Sequence, residues 1–268
     1  MTPTDLHSLV VKVRSTVAEA ASVIQRVRQR GFERATKADQ SPVTEADHAA
    51  DALLKDRLLG LVDCAWLSEE TADDKSRLGR EVLWVVDPLD GTKEFIKGLP
   101  EYAVAVALVE HGAPVLGIVH NPATGDVVWA TRGGGAYRNG EQVHVAEGNR
   151  LLASRSEIRG GEFEPFEADW DVTATGSIEY KLALIGAGEA AVTFSRGPKH
   201  EWDVCAGAII VEEAGGRATD LFGEPLRFNQ DFPKTKGILA GAPEAYDRAL
   251  EQLRRVGASD RMDEFSGL

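Results

Sequence analysis

Asp87 and Asp90 stand three residues apart in the stretch WVVDPLDGTKEF, residues 84–95. An apolar run precedes them, Pro88 stiffens the backbone between them, and Gly91 frees it just after. A lone D-x-x-D is a weak signal, because most such pairs are solvated turn residues. Four further carboxylates strengthen it, since each follows or opens an apolar element: Asp47, Glu69, Glu70 and Asp203. Gathering ionised carboxylates is costly unless cations fill the space between them. Oxygen ligands without histidine or cysteine suit a hard cation, Mg²⁺ ahead of Mn²⁺ or Ca²⁺. Beside them, the N–H groups of Gly91 and Thr92, at the start of a helix beginning GTKEF, would face an anion. Metal ligands next to an anion seat are what metal-assisted attack on a phosphate requires.

Other chemistries find little support. The chain has no G-x-S-x-G elbow, no Walker P-loop and no H-E-x-x-H zinc helix. GAGEAA at Gly186 matches a dinucleotide fingerprint in form, but it closes a helix instead of opening one after a strand. The six histidines are scattered without metal-ligand spacing.

The elements that must hold the carboxylates follow from periodicity. Thr4 is expected to cap a helix with Leu6, Leu9, Val10, Val13, Val17, Ala20, Ile24 and Val27 on one face, ending near Gly31. A polar, proline-broken loop, ERATKADQSPVTEAD, leads to a second helix from about Thr44, with Ala46, Ala50, Leu53, Leu54 and Leu58 at helical spacing. CAWLSEE reads as a short strand ending in Glu69 and Glu70, and EVLWVVD as a second. From Tyr102, short apolar segments separated by HGAP, NPATGD, GGG and RNG predict an antiparallel sheet. After about Val145 strands and helices alternate: DVTATG, SIEYKLALIGAG, AAVTFS, DVCAGAIIVEEAG, KGILAGAP and EAYDRALEQLRRVG. The residues from Ala258 read as a frayed end. The expected organisation is an α+β domain over residues 1–148, holding most metal-site motifs, then an α/β domain over 149–268 with the remaining ligand and the substrate loops.

The bulk composition bounds the rest. The 268 residues are 43% hydrophobic and 27% charged, an ordinary globular balance. A formal net charge of −13 argues against a nucleic-acid polymer or an anionic membrane as partner, though not against a small anion held by a metal. Two cysteines, Cys64 and Cys205, are expected to be reduced and buried. With no secretory signal or membrane-length apolar run, the expected location is the cytoplasm, as a monomer or homodimer.

SPVTEAD, LSEE, WVVDPLDGTKEF, GGGAYRNG and EWDVCAGAIIVEEAGG together give the chain a resemblance, over nearly its whole length, to the inositol monophosphatase superfamily of Mg²⁺-dependent, lithium-sensitive phosphatases. D-P-L-D-G-T followed downstream by W-D-x-x-A-G is specific as a pair. The resemblance implies an α/β fold layered as a five-layer α/β/α/β/α sandwich. It implies two or three Mg²⁺ ions bound by Glu69, Asp87, Asp90, Asp203 and the carbonyl of Leu89. Thr92 and Asp47 would form a hydrogen-bonded pair that, with Glu69, activates a water.

Within the superfamily, DPLDGTKEF and GPKHEWD look more like the 3'(2'),5'-bisphosphate nucleotidase branch of CysQ type, whereas GSIEYK is closer to the inositol branch. The leading expectation is hydrolysis of adenosine 3',5'-bisphosphate. Inositol 1-phosphate or a sugar phosphate is the alternative, and a non-catalytic binder of a phosphorylated ligand is a third. Substrate contacts are expected from Glu69, Leu89, Asp90, Gly91, Thr92, Ser177, Lys181, Arg196, Lys199 and Asp203. Arg196 and Lys199 would suit a second phosphate.

Overall fold

The computed structural model describes residues 1–37 and 42–256, with all their side chains except those of Pro3 and Thr4. The predicted frayed end from Ala258 and the middle of the ERATKADQSPVTEAD loop lie outside the described residues. Helix α1 (Pro3–Arg30) is capped by Thr2 instead of the predicted Thr4. Thr2 accepts from the Asp5 amide and Asp5 accepts from the Thr2 amide, a reciprocal box that Pro3, at the first helical position, sets up. A short hairpin, β1 (Arg34–Thr36) and β2 (Pro42–Thr44), leads to α2 (Glu45–Leu59), where Thr44 and Asp47 form a second capping box.

The large sheet has seven strands: β3 (Ala65–Ser68), β4 (Val82–Asp90), β5 (Ala103–Glu110), β6 (Ala113–His120), β7 (Val127–Thr131), β8 (Gly135–Arg138) and β9 (Glu141–Val143). They lie in sequence order, antiparallel except for the β3–β4 pair. The predicted hairpin punctuation falls between these strands. A short helix, α3 (Thr92–Lys97), interrupts the run after β4.

The second sheet has the order β11 (Asp171–Ala174), β10 (Arg150–Ala153), β12 (Val192–Ser195), β16 (Ile238–Gly241), β14 (Arg217–Thr219). Around it run α4 (Arg155–Arg159), α5 (Ile178–Gly186), α6 (Cys205–Glu213) and α7 (Pro243–Val256), with a small ladder of β13 (Lys199–His200) and β15 (Lys234–Thr235). Sequence reading did not find β1 and β2, which lie in the stretch read as a loop, nor β10, α4, β13, β14 or β15, because each is too short for its periodicity to stand out.

Three hydrophobic clusters stack these parts into layers. Trp84 and Val86 of β4, with Val104, Val106 and Leu108 of β5, pack on α1 and α2. Their neighbours Leu83, Val85, Ala105 and Ala107 point the other way, onto α5 and α6. The far side of α5 and α6 receives Leu152, Ile238 and Ala240. Leu151, Phe194 and Leu239 face outward to α7 and to Phe163, Phe166 and Trp170. Period-two alternation in the strands thus yields the order helices, sheet, helices, sheet, helix. This is the five-layer α/β/α/β/α arrangement.

Both thiols are free, but only Cys205 is buried; Cys64 is half-buried, a correction to the expectation for it. Among the described residues no helix is long and apolar enough to cross a membrane.

Close packing of α6 on the large sheet depends on Gly117. A Cβ there would sit 2.5 Å from the Ala206 carbonyl oxygen and from Ile209 Cγ2. Gly117→Ala should therefore destabilise the fold by about 1–3 kcal/mol through overpacking. The expected readout is a lower urea midpoint with an unchanged slope; an unmoved midpoint would show that α6 can slide away freely.

Candidate active site

Strand periodicity alone would send residues three apart to opposite faces of a sheet. β4 avoids this with a bulge: Asp87 pairs with Ala105 and Asp90 with Ala103, so one extra residue lies on the β4 side. Asp87 and Asp90 consequently line one cavity of about 430 Å³ together with Glu69, Leu89, Gly91, Thr92, Ser177, Lys181, Lys199 and Asp203. Gly91 turns the chain with φ 91°, and a side chain there would meet the Glu101 carbonyl oxygen at 2.8 Å.

Each carboxylate is held differently. Asp87 is buried, and one of its oxygens accepts from the Leu89 amide at 2.9 Å. Asp90 accepts from Ser177 Oγ at 2.6 Å and from the Glu179 amide at 2.7 Å, which fixes it to the start of α5. Asp203, just ahead of α6, accepts from the His200 amide at 2.8 Å. Glu69 follows β3, and its side chain reaches Lys37 Nζ at 2.7 Å. Lys37 also contacts Glu70 at 2.5 Å.

Burial and mutual repulsion make the group electrostatically tense. Burial, followed by the charges of Glu69, Asp90 and Asp203, pushes the Asp87 carboxyl well above the usual aspartate range. Burial lifts Asp90 to about 6 even though Ser177 and the Glu179 amide pull the other way. Asp203 rises to about 7 through burial and the nearby Asp90. Carboxylates placed this way gain when a cation joins them, so the donor set fits a hard metal ion. Among the described residues no three such side chains close into a finished metal cage, and Glu69 is turned to Lys37.

Asp47 and Thr92 meet as predicted, although Asp47 lies behind the cavity and not in its wall. Thr92 Oγ1 stands 3.0 Å from Asp47 Oδ1 and 3.1 Å from the Leu89 carbonyl oxygen. A hydroxyl has one proton, so it serves only one of these acceptors at a time. Asp47 Oδ2 is already engaged by the Thr44 amide and hydroxyl, at 2.8 and 2.7 Å, which leaves Oδ1 turned to Thr92. The same carboxylate therefore caps α2 and holds Thr92.

Lys181 and Lys199 line the same cavity, where Lys181 acts on Asp90 and Lys199 on Asp203, each favouring the ionised carboxylate, whereas Arg196 is half-buried and outside the lining. Ser177 lines the cavity with φ 55° and gives its proton to Asp90. Several contributors were not legible beforehand. Glu179 is fully buried and accepts from the Ala206 and Gly207 amides at 3.0 and 2.5 Å, tying α5 to the start of α6 behind Asp203. Glu157, Ser154 and Ser195 also line the cavity. Lys37 gave no signal in its polar loop, and SRSEIR reads as a solvated turn.

The comparisons with known proteins agree with this geometry. The profile of the Inositol monophosphatase family matches residues 5–258. A fructose-1,6-bisphosphatase/inositol-1-monophosphatase of Thermotoga maritima is 35% identical over 208 residues, 74% of this chain and 78% of that protein. The 3'(2'),5'-bisphosphate nucleotidase CysQ of Escherichia coli is 36% identical over 203 residues, 72% of this chain and 82% of its own. Among solved structures, an IMPase of Thermotoga maritima superposes with TM-score 0.81 at 27% identity, covering 93% of this chain and 98% of that one. The names of these relatives point to different phosphorylated compounds, while the superposed structure shares the fold of this chain. The chain therefore belongs to the inositol monophosphatase family and is a phosphatase of that family.

Proposed function

We propose that the protein is a Mg²⁺-dependent phosphomonoesterase that removes the 3'-phosphate of adenosine 3',5'-bisphosphate. The observation that carries this reading is one cavity lined both by Glu69, Asp87, Asp90 and Asp203 and by the cations Lys181 and Lys199. Glu69, Asp87, Asp90, Asp203 and the Leu89 carbonyl would hold two or three Mg²⁺ ions. When bound, Mg²⁺ supplies the positive charge that a phosphate needs and favours ionisation of water.

The chain's own groups do the rest. Asp47 takes up the Thr92 proton in a hydrogen bond, so the Thr92 oxygen keeps a lone pair for a water in the cavity. That water is oriented for attack on phosphorus when it donates to Thr92. Lys181 and Lys199 give charge-assisted contacts to a second phosphate, which offsets the overall charge of −13 at this one place. Residues 1–148 and 149–268 are read as two domains, each supplying one sheet and part of the cavity wall. An inositol or sugar phosphate is the second reading, favoured by the hydroxyls of Ser154 and Ser195 in the same lining.

Phosphate release tests the substrate. With Mg²⁺, kcat/KM should be higher for adenosine 3',5'-bisphosphate than for inositol 1-phosphate. EDTA should abolish turnover, and Ca²⁺ should inhibit because it favours more ligands at longer distances. A preference for inositol 1-phosphate would move the assignment to the second reading, and full activity in EDTA would end the metal hypothesis.

Thr92→Val removes the hydroxyl at nearly constant volume. It should lower kcat by about 100-fold or more while Mg²⁺ activation is nearly unchanged. Near-normal kcat would exclude Thr92 from water activation.

Stability should also follow pH. Asp90 at about 6 and Asp203 at about 7 both lie above the ordinary aspartate value of 3.8, so the folded state binds more protons than the unfolded state between those values. Their contribution is full below the ordinary value and lost as pH rises through the folded ones. In EDTA, Tm should fall between about pH 5 and about pH 8, and Mg²⁺ should raise Tm more at the higher pH. A Mg²⁺ effect that is equal at both pH values would contradict this assignment.

A further inference from the structure

Glu157 is a carboxylate in the cavity that neither the ion-binding group nor the Thr92–Asp47 pair uses. It lies on α4 with its side chain 10% exposed, and it lines the cavity together with Lys181 and Lys199. Ser154 Oγ and Ser195 Oγ each donate to one of its two oxygens. Lys199 Nζ stands 3.9 Å from Oε1, and the buried Lys181 is close enough to feel the charge strongly. Burial draws the Lys181 ammonium down, and Glu157 is the chief group opposing that loss of charge. Burial works against the Glu157 charge, but Lys181, Lys199 and the hydroxyls of Ser154 and Ser195 together outweigh it and hold the carboxyl below the usual glutamate range.

The two lysines therefore have a built-in anion beside them, in a lining that also holds Lys93, Glu94 and Glu162. A second phosphate arriving on the leaving group would have to share the lysines with Glu157. We propose that Glu157 is a specificity-determining residue, an internal counter-anion that occupies Lys181 and Lys199 and so sets how strongly a leaving group with a second phosphate is preferred. This rests on the phosphatase reading above and deepens it to the choice between singly and doubly phosphorylated substrates. Ser154 and Ser195 make the idea separable from simple packing. Serine hydroxyls can donate to an amide oxygen or accept from an amide nitrogen, so glutamine keeps the hydrogen bonds and loses only the charge.

The test uses a matched pair, adenosine 3',5'-bisphosphate and adenosine 3'-monophosphate, which differ only in the second phosphate. Glu157→Gln should raise the ratio of kcat/KM for the bisphosphate over the monophosphate by about tenfold, mainly through a lower KM for the bisphosphate. Glu157→Asp keeps the charge and should leave the ratio near that of the wild type. Glu157→Ala removes the charge differently and should shift the ratio in the same direction, so the comparison survives if one variant does not fold. A ratio that is unchanged or lowered in Glu157→Gln overturns the proposal, as does an equal shift in Glu157→Asp. The wild-type ratio reads the substrate assignment, while the change on substitution reads the role of Glu157, so either can fail alone.

Discussion

Repulsion among carboxylates drawn out of water is the constraint around which this molecule is arranged. Asp87, Asp90 and Asp203 would each prefer to be solvated and apart, yet β4, α5 and α6 hold them at one cavity. Such an arrangement persists only where the surrounding structure fixes each side chain and where a cation can repay the cost. The scaffold meets the first condition with backbone amides. The amides of Leu89, Glu179 and His200 each donate to one of the three aspartates. These donors are backbone groups held in place by their own elements, and donors fixed in advance are the preorganisation that electrostatic catalysis relies on.

The layer of α5 and α6 converts these local contacts into a rigid frame. Glu179 is itself a buried carboxylate, and its two bonds to the start of α6 join the element that holds Asp90 to the element that follows Asp203. Arg155 makes a forked contact with Glu101, which also accepts from the Gly176 amide, so the approach to α5 is tied to the loop after α3. Lys37 contacts Glu69 and Glu70, while Lys181 in the cavity lining acts on Asp90. Cations therefore stand among the acidic groups here, although the chain as a whole is strongly acidic.

Much of this was legible in the sequence, for reasons that differ by residue. Asp87, Asp90 and Asp203 stand out because an apolar element delivers each of them, and Thr44 with Asp47 announces a helix start. The bulge that brings Asp87 and Asp90 to one side is foreshadowed by Pro88, but its register could be read only against β5. Glu157 and Glu179 were not legible, since a glutamate in a helical segment ordinarily faces solvent and nothing local marks it as buried. Arg196 shows the converse limit: it follows the buried Ser195 directly in sequence, yet it lies outside the cavity lining to which Ser195 and Lys199 belong. The choice of cap shows how local chemistry overrides periodicity, because the apolar stripe fits either Thr2 or Thr4 and the proline and aspartate decide.

The middle helical layer has a consequence for how the chain is made. Residues 65–143 can complete the hydrogen bonding of the large sheet by themselves, whereas α5 and α6, which cover one of its faces, come later in the chain. During synthesis from the N-terminus, Leu83, Val85, Ala105 and Ala107 therefore form an apolar face whose cover has not yet been made. Asp203 arrives only just ahead of α6, so no fragment that stops short of it carries the complete acidic group. A half-made chain has an adhesive surface and no grip on its ions, and both defects end together when α6 docks.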